Sequence, residues 1–243
     1  MNLLIKGIAT LSLIILVGLG LTGIFFYFDL WTLLEDGGWL DYSHYRPYSP
    51  IVELSLATDL ERCQDAPFIV PTAGWIGVLY GDSILGTQNH SGLDIFSPDG
   101  NGLTPVYAAA DGYLTRLPEW TSAVIIRHPQ DPLNPARQIW SYYTHMADVA
   151  GNDYIVPQIP PGTYELPVKQ GALLGYQGDF NGSASYQIST HLHFSLVLDD
   201  GNGNFRNETD IANTIDPSPY LGMRLNSQCP DRPPTCRPDP ICP

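Results

Sequence analysis

The amino-acid sequence predicts an all-β domain, a sandwich or barrel with long loops, over residues 66–222. The first observation is that short apolar runs alternate with Gly, Pro, Asp and Asn, as at 104–109, 123–127, 139–143 and 193–198. The second is that no fifteen-residue stretch of this region shows the 3.6-residue apolar period of a helix. The third is a composition of 23 Gly, 22 Pro and 14 Tyr among 243 residues. That usage fits a loop-rich β structure better than a helical one.

An apolar segment precedes the predicted domain. Residues 7–28 carry no charge, and as a helix they would span about 33 Å, close to one hydrocarbon core. Lys6 precedes the segment and Asp29 follows it, so we expect the N-terminus in the cytoplasm and the rest outside. A cleaved signal peptide is the alternative. The run is longer than the usual apolar region of a signal peptide, however, and 25–28 lack the small residues of a cleavage site.

These features divide the chain into an anchor or signal peptide (1–28), a juxtamembrane linker (29–65), the β domain (66–222) and a Pro/Cys-rich tail (223–243). We therefore expect an extracytoplasmic protein with a single membrane-spanning helix, or a secreted one if the segment is cleaved. Four cysteines in an exported chain predict two disulfides, with three connectivities open. The pairing we favour ties the two ends of the domain together and closes a small loop in the tail: Cys63 with Cys229, and Cys236 with Cys242.

Acidic residues outnumber basic ones, 25 to 11, for a net charge of −14. Affinity for nucleic acid comes largely from Lys and Arg on phosphates, so the charge argues against a nucleic-acid-binding protein. It equally argues against attachment to anionic lipid through a basic patch. The sequence identifies no protein partner.

Two short motifs contain three of the six histidines. His90 begins the first motif and Asp94 ends it, four positions later. His191 and His193 stand two apart in a run that is typical of a strand. An even spacing on a strand puts both side chains on the same face. Imidazole and carboxylate groups suit zinc, and three such ligands would leave a fourth position open for water, as in catalytic zinc sites.

Further motifs accompany the two histidine motifs in a recognisable order. HSGLD at 90–94 matches the pattern H-x-G-x-D, YTHM at 143–146 matches Y-x-H-L with Met for Leu, and HLHF at 191–194 matches H-L-H-F. Between them stand VYAAADG, VKQG and LG, at 106–112, 168–171 and 174–175. Over roughly residues 74–200 the chain thus resembles the lysostaphin/LytM-type zinc metallopeptidases, also called glycyl-glycine endopeptidases.

The resemblance implies a duplicated-hybrid-motif fold with one zinc ion per chain in an open groove. It also implies three metal ligands, which are His90, Asp94 and His193. Two further histidines, His145 and His191, would be catalytic without binding the metal. The remaining histidine of the domain, His128, is expected to be structural.

The family usually cuts peptide bonds in the cross-bridges or stem peptides of bacterial peptidoglycan. The resemblance therefore implies a zinc metalloendopeptidase with a peptidoglycan peptide as substrate. Two alternatives stay open. One is a non-catalytic relative that regulates another wall hydrolase, although all five site positions are filled here. The other is a metallopeptidase that acts on proteins.

Overall fold

The computed structural model of the protein describes residues 62–63, 65–84, 88–183, 185, 187–229, 236 and 239–241. The predicted anchor over 1–28 lies outside these residues, as does nearly all of the linker over 29–65. No helix in the described part of the chain is long and apolar enough to cross a membrane.

Strands form almost all of the regular structure in the described residues, and the predicted all-β class is confirmed. The strands are β1 (Trp75–Val78), β2 (Ser83–Ile84), β3 (Gln88–Asn89), β4 (Leu93–Phe96), β5 (Pro105–Tyr107), β6 (Gly112–Thr115), β7 (Val124–His128), β8 (Ile139–Thr144), β9 (Leu166–Val168), β10 (Leu173–Tyr176), β11 (Gly178–Phe180), β12 (Gln187–Leu198) and β13 (Thr214–Ile215). The helical segments of the described residues are a single 3₁₀ turn and a one-turn helix α1, at Ile211–Asn213 and Ser218–Leu221.

One large antiparallel sheet organises the domain. Its strands follow the order β1-β4-β12-β8-β7-β6-β9, and β11 and β13 also pair with β12. Two further pairs, β5 with β10 and β2 with β3, form small antiparallel sheets. The 12-residue strand β12 is central, because it pairs with β4 on one side and β8 on the other.

The two faces of β12 have different roles. Leu192, Phe194 and Leu196 are fully buried in the main hydrophobic core, and each such side chain contributes roughly 1.5–3 kcal/mol by burial. The small β5/β10 sheet adds Val106 and Leu174 to the same core. Because strand side chains alternate, the histidines of β12 are directed to the opposite face.

That opposite face carries a second cluster of apolar side chains. Ile125, Trp140 and Val197 are buried there, and three partly buried aromatic residues pack against them: Trp120, Tyr142 and Phe205. Phe205 comes from the segment after β12, so the cluster attaches this segment to the sheet beside the histidines.

The disulfide pairing that we favoured is wrong. Cys63 is bonded to Cys236, and Cys229 is also disulfide-bonded. The reason is that Met223, just after α1, and Cys236 in the tail form an antiparallel bridge. Cys236 thereby comes within a Cα–Cα distance of 5.2 Å of Cys63. This contact depends on tertiary packing, which cysteine spacing does not reveal.

Candidate metal and catalytic site

The three expected metal ligands meet on one face of the large sheet. His90, Asp94 and His193 each offer a ligand atom, and these atoms lie within 4.8 Å of one another. Oδ1 of Asp94 is 3.0 Å from Nε2 of His90 and 2.9 Å from Nδ1 of His193. The two nitrogens are themselves 3.0 Å apart. The atoms thus form a nearly equilateral triangle.

Strand pairing accounts for this convergence. Asp94 in β4 stands directly opposite His193 in β12. His90 lies just before β4, where its backbone is fixed by hydrogen bonds with Asp82 and Gly81, each of 2.8 Å. Residues that are about a hundred positions apart in the chain are therefore neighbours across one strand pair.

The outer nitrogen of each candidate ligand histidine lies near an oxygen atom. Nδ1–H of His90 donates to the carbonyl oxygen of Leu79 over 3.1 Å, and a carbonyl can only accept. With that hydrogen on Nδ1, Nε2 of His90 carries the lone pair that faces the triangle. Nε2 of His193 lies 3.4 Å from Oε2 of Glu208, which leaves Nδ1 of His193 as the ligand atom.

The triangle fits a metal ion. Two imidazole nitrogens and a carboxylate oxygen converge in a buried place, where His90, Asp94 and His193 are only 5%, 6% and 8% exposed. Tetrahedral zinc ligands lie about 2.0–2.1 Å from the ion and about 3.3 Å from one another. The observed spacing needs only a slight expansion to reach this value.

Electrostatics around Asp94 favour a charged carboxylate. Burial alone would raise the pKa of Asp94, but His90, His191 and His193 together outweigh burial through their charge and hydrogen bonds and hold this pKa well below its usual range. Burial opposes protonation of His193 as well. The carboxylates of Asp94 and Glu208 overcome it and raise the pKa of His193 to about 10 in the metal-free site. The site therefore attracts positive charge.

His145 and His191 stand beside the triangle. Their ring centroids are 4.5 Å apart, and Nε2 of His191 lies 3.8 Å from Oδ1 of Asp94. Nδ1–H of His145 donates to the carbonyl of Phe180 over 2.7 Å, and Nδ1–H of His191 donates to that of Ser189 over 2.6 Å. In both rings the backbone bond fixes the tautomer, and Nε2 is the basic nitrogen.

Both of these histidines are neutral at pH 7. Burial, reinforced by the neighbouring His191 and His193, lowers the pKa of His145 to about 3. Burial also lowers the pKa of His191, although the carboxylate of Asp94 partly offsets the effect. A neutral imidazole is a proton acceptor, as a general base must be.

His145 also has an unusual backbone. Its φ is +71°, in the left-handed region that L-residues enter at a cost. Strained residues of this kind concentrate at functional sites. The hydrogen bond from its ring to Phe180 of β11 fixes the side chain in this conformation.

The structure adds two contacts that sequence reasoning missed. Glu208 belongs to none of the family motifs, and only the folding of its segment over β12 reveals its contact with the site. Phe96 stacks on His191, with ring centroids 5.0 Å apart and an interplanar angle of 30°. Its position could have been inferred, since Phe96 follows Asp94 by two and shares its face of β4.

His128 takes no part in this site. Its Nδ1–H donates to the carbonyl of Asp111 over 2.8 Å, and its Nε2 is 2.9 Å from the hydroxyl of Ser141. Ser141 is fully buried. These contacts agree with the structural role expected for this histidine.

No protein-family model and no curated protein match the chain. Among solved structures it is similar to Helicobacter pylori Csd3, with 18% identity, a TM-score of 0.39 and coverage of 63% of this chain and 32% of that one. It is similar to lysostaphin, with 24% identity, a TM-score of 0.37 and coverage of 60% and 49%. It is also similar to a mutant catalytic domain of the prophage-encoded M23 protein EnpA from Enterococcus faecalis. The identity is 23% and the TM-score is 0.32, with coverage of 62% of this chain and 95% of that one.

The chain spans less than half the length of Csd3 and of lysostaphin. All three TM-scores are below 0.5, so the evidence about function comes from the residues of the site. The similar structures nonetheless include lysostaphin and an M23 protein, from the peptidase family that the motifs indicate. The chain resembles the LytM/M23 peptidases.

Proposed function

We propose that this protein is a zinc metalloendopeptidase that hydrolyses peptide bonds in peptidoglycan cross-bridges or stem peptides. The observation that carries the proposal is the buried triangle of His90, Asp94 and His193 with two neutral histidines beside it. Three converging ligands with no fourth protein ligand among the described residues are typical of a catalytic rather than a structural zinc site. The family resemblance supplies the substrate class.

The residues divide the chemistry between them. His90, Asp94 and His193 would hold one zinc ion, which when bound supplies Lewis acidity toward water and a peptide carbonyl. Nε2 of His145 or His191 accepts the proton of the attacking water. The same nitrogen then returns a proton to the leaving amine. The backbone bonds of both Nδ1 atoms direct the two Nε2 atoms to this task.

The segments on either side of the peptidase domain would place it outside the cytoplasm. The apolar segment over 1–28 would anchor the protein in the membrane, or direct its secretion if cleaved, and the linker over 29–65 would connect it to the peptidase domain at 66–222. The Pro/Cys-rich tail over 223–243 would follow. An extracytoplasmic position would give the site access to the wall.

Digestion of purified peptidoglycan tests the proposal. The full-length protein with zinc should release soluble muropeptides, and mass spectrometry of the fragments should identify one cleaved peptide bond. A chelator should stop the release and added zinc should restore it. Zinc binding without cleavage of any substrate would favour the regulator. Cleavage of denatured protein with intact peptidoglycan would favour the protein-directed peptidase.

A further inference from the structure

Glu208 lies outside every motif, yet its carboxylate faces the proposed metal ligands. Oε2 of Glu208 is 3.4 Å from Nε2 of His193, within ion-pair range but outside hydrogen-bond geometry. The same oxygen accepts a hydrogen bond of 3.3 Å from the hydroxyl of Ser91, the residue that follows His90. One carboxylate oxygen thus contacts the β12 ligand and the segment that carries the first ligand.

The segment that carries Glu208 is attached to the sheet on both sides of this residue. Before it, Phe205 packs on Trp120 and Trp140, with ring centroids 5.6 and 5.5 Å apart. The amide of Arg206 also donates to the carbonyl of Leu198 over 3.0 Å. The position of Glu208 therefore does not depend on its own side-chain contacts alone.

After Glu208 the chain is held again. The side chain of Asn213 donates to the carbonyl of Asn207 over 3.0 Å, and β13 then pairs with β12. The carboxylate is thus presented to His193 from a short segment fixed at both ends.

The chemistry of a ligating imidazole explains why an acceptor is needed here. A neutral imidazole that gives one nitrogen to a metal carries its hydrogen on the other, and a carboxylate partner for that hydrogen orients the ring. The two carboxylates, Asp94 and Glu208, also carry a combined charge that matches a divalent cation. We infer that Glu208 is a positioning residue, whose carboxylate accepts Nε2–H of His193 when Nδ1 of that ring holds the metal.

This inference rests on the proposed metal site, and zinc affinity tests it without reference to hydrolysis. Full-length wild-type protein, Glu208→Ala and Glu208→Gln would compete for zinc with a chromophoric chelator. We expect affinity to fall about 10–100-fold in Glu208→Ala and only a few-fold in Glu208→Gln, because the amide oxygen can still accept Nε2–H. The matched control is Glu119→Ala, which removes an exposed carboxylate and should leave the affinity unchanged.

Nitrogen NMR of the zinc-loaded proteins gives a second readout. The wild-type protein and Glu208→Gln should show Nδ1 of His193 bound to the metal and a protected Nε2–H. Glu208→Ala should show a more rapidly exchanging Nε2–H. Thermal unfolding of the metal-free variants separates these effects from a general loss of folding, and Glu208→Gln remains informative if Glu208→Ala does not fold.

The outcomes are distinguishable. Wild-type zinc affinity in Glu208→Ala would overturn the inference and leave the proposed function intact. Equal losses in the alanine and glutamine variants would also overturn it, because charge rather than the hydrogen bond would then be responsible. A wild-type protein that binds no zinc would overturn both the role of Glu208 and the proposed function.

Discussion

At the scale of single residues, the histidines of the site differ in which nitrogen the protein holds and what the other one faces. Nε2 of His90 faces the other two ligand atoms. His145, which is held through Nδ1 by the carbonyl of Phe180, contributes no atom to the triangle. We expect His145→Ala to keep its zinc and lose at least about 100-fold in hydrolysis rate, the usual scale for a general acid–base group. His90→Ala should lose both zinc and activity. Metal content and release of muropeptides would be measured on the same purified samples.

His128 is the matched control for that experiment, because it is a buried histidine of the same domain outside the site. His128→Gln should keep zinc binding and most activity wherever the variant remains folded. If His145→Ala lost its zinc, the assignment of His145 as a residue that does not bind the metal would be wrong.

His128 makes the stability of the protein depend on pH. Burial lowers the pKa of His128 to about 4, and the nearby carboxylates of Asp111 and Asp131 only partly oppose this. The unfolded chain binds the proton near pH 6.5, before the folded protein does. The contribution of His128 to stability is therefore complete above about pH 6.5 and is lost as the pH falls toward 4. The shift corresponds to about 3 kcal/mol.

Chemical unfolding of metal-free wild-type protein and His128→Gln between pH 7 and pH 4 would measure this contribution. The other histidines are common to both proteins, so their effects cancel in the comparison. We expect the wild-type protein to lose about 3 kcal/mol more of its unfolding free energy than the variant across this range. Parallel pH profiles would contradict the prediction.

At the scale of elements, the contact between β4 and β12 determines the site. Gly92, just before β4, lies against β12 so closely that a Cβ there would be 2.5 Å from the carbonyl oxygen of Phe194. The same Cβ would be 2.9 Å from Cε1 and Nε2 of His193. The carbonyl is backbone and cannot rotate away. The added methyl group must therefore move either the strand or the ligand ring.

Gly92→Ala should accordingly weaken zinc binding by roughly tenfold or more, and should destabilise the protein by about 1–3 kcal/mol as an overpacking substitution. Chelator competition and thermal unfolding would measure the two effects. Gly162→Ala is the control, because a Cβ at Gly162 meets nothing within 4 Å although its φ is +86°. That variant should lose some stability and keep its zinc affinity. Unchanged zinc affinity in Gly92→Ala would contradict the prediction.

The strand pattern and the site were predictable to different extents. The aromatic and β-branched residues of β12 indicated a strand, and the two-residue spacing of His191 and His193 put them on one face, because side-chain direction along a strand is a local property. The family motif then supplied His145. Glu208 could not be predicted, since it reaches His193 only after the segment following β12 folds back and Phe205 packs on the sheet. Such a contact has no fixed spacing in the sequence.

At the scale of the whole molecule, the Cys63–Cys236 bridge joins the start of the described domain to its tail across a sequence separation of 173 residues. A cross-link over so long a loop restricts the unfolded chain strongly, and removal of such a native bridge costs about 2–5 kcal/mol. The double variant Cys63→Ser/Cys236→Ser should show this loss in chemical unfolding. Replacing both cysteines together avoids a free thiol that could pair wrongly.

Zinc affinity of the folded double variant distinguishes a global from a local effect of the bridge. Neither cysteine contributes to the triangle of His90, Asp94 and His193, whose positions depend on β4 and β12. We therefore expect the double variant to unfold at lower denaturant concentration and yet bind zinc as tightly as the wild-type protein wherever it remains folded. A loss of zinc affinity that persists in fully folded protein would show that the bridge also supports the site. Retained zinc affinity would assign its role to the stability of the domain.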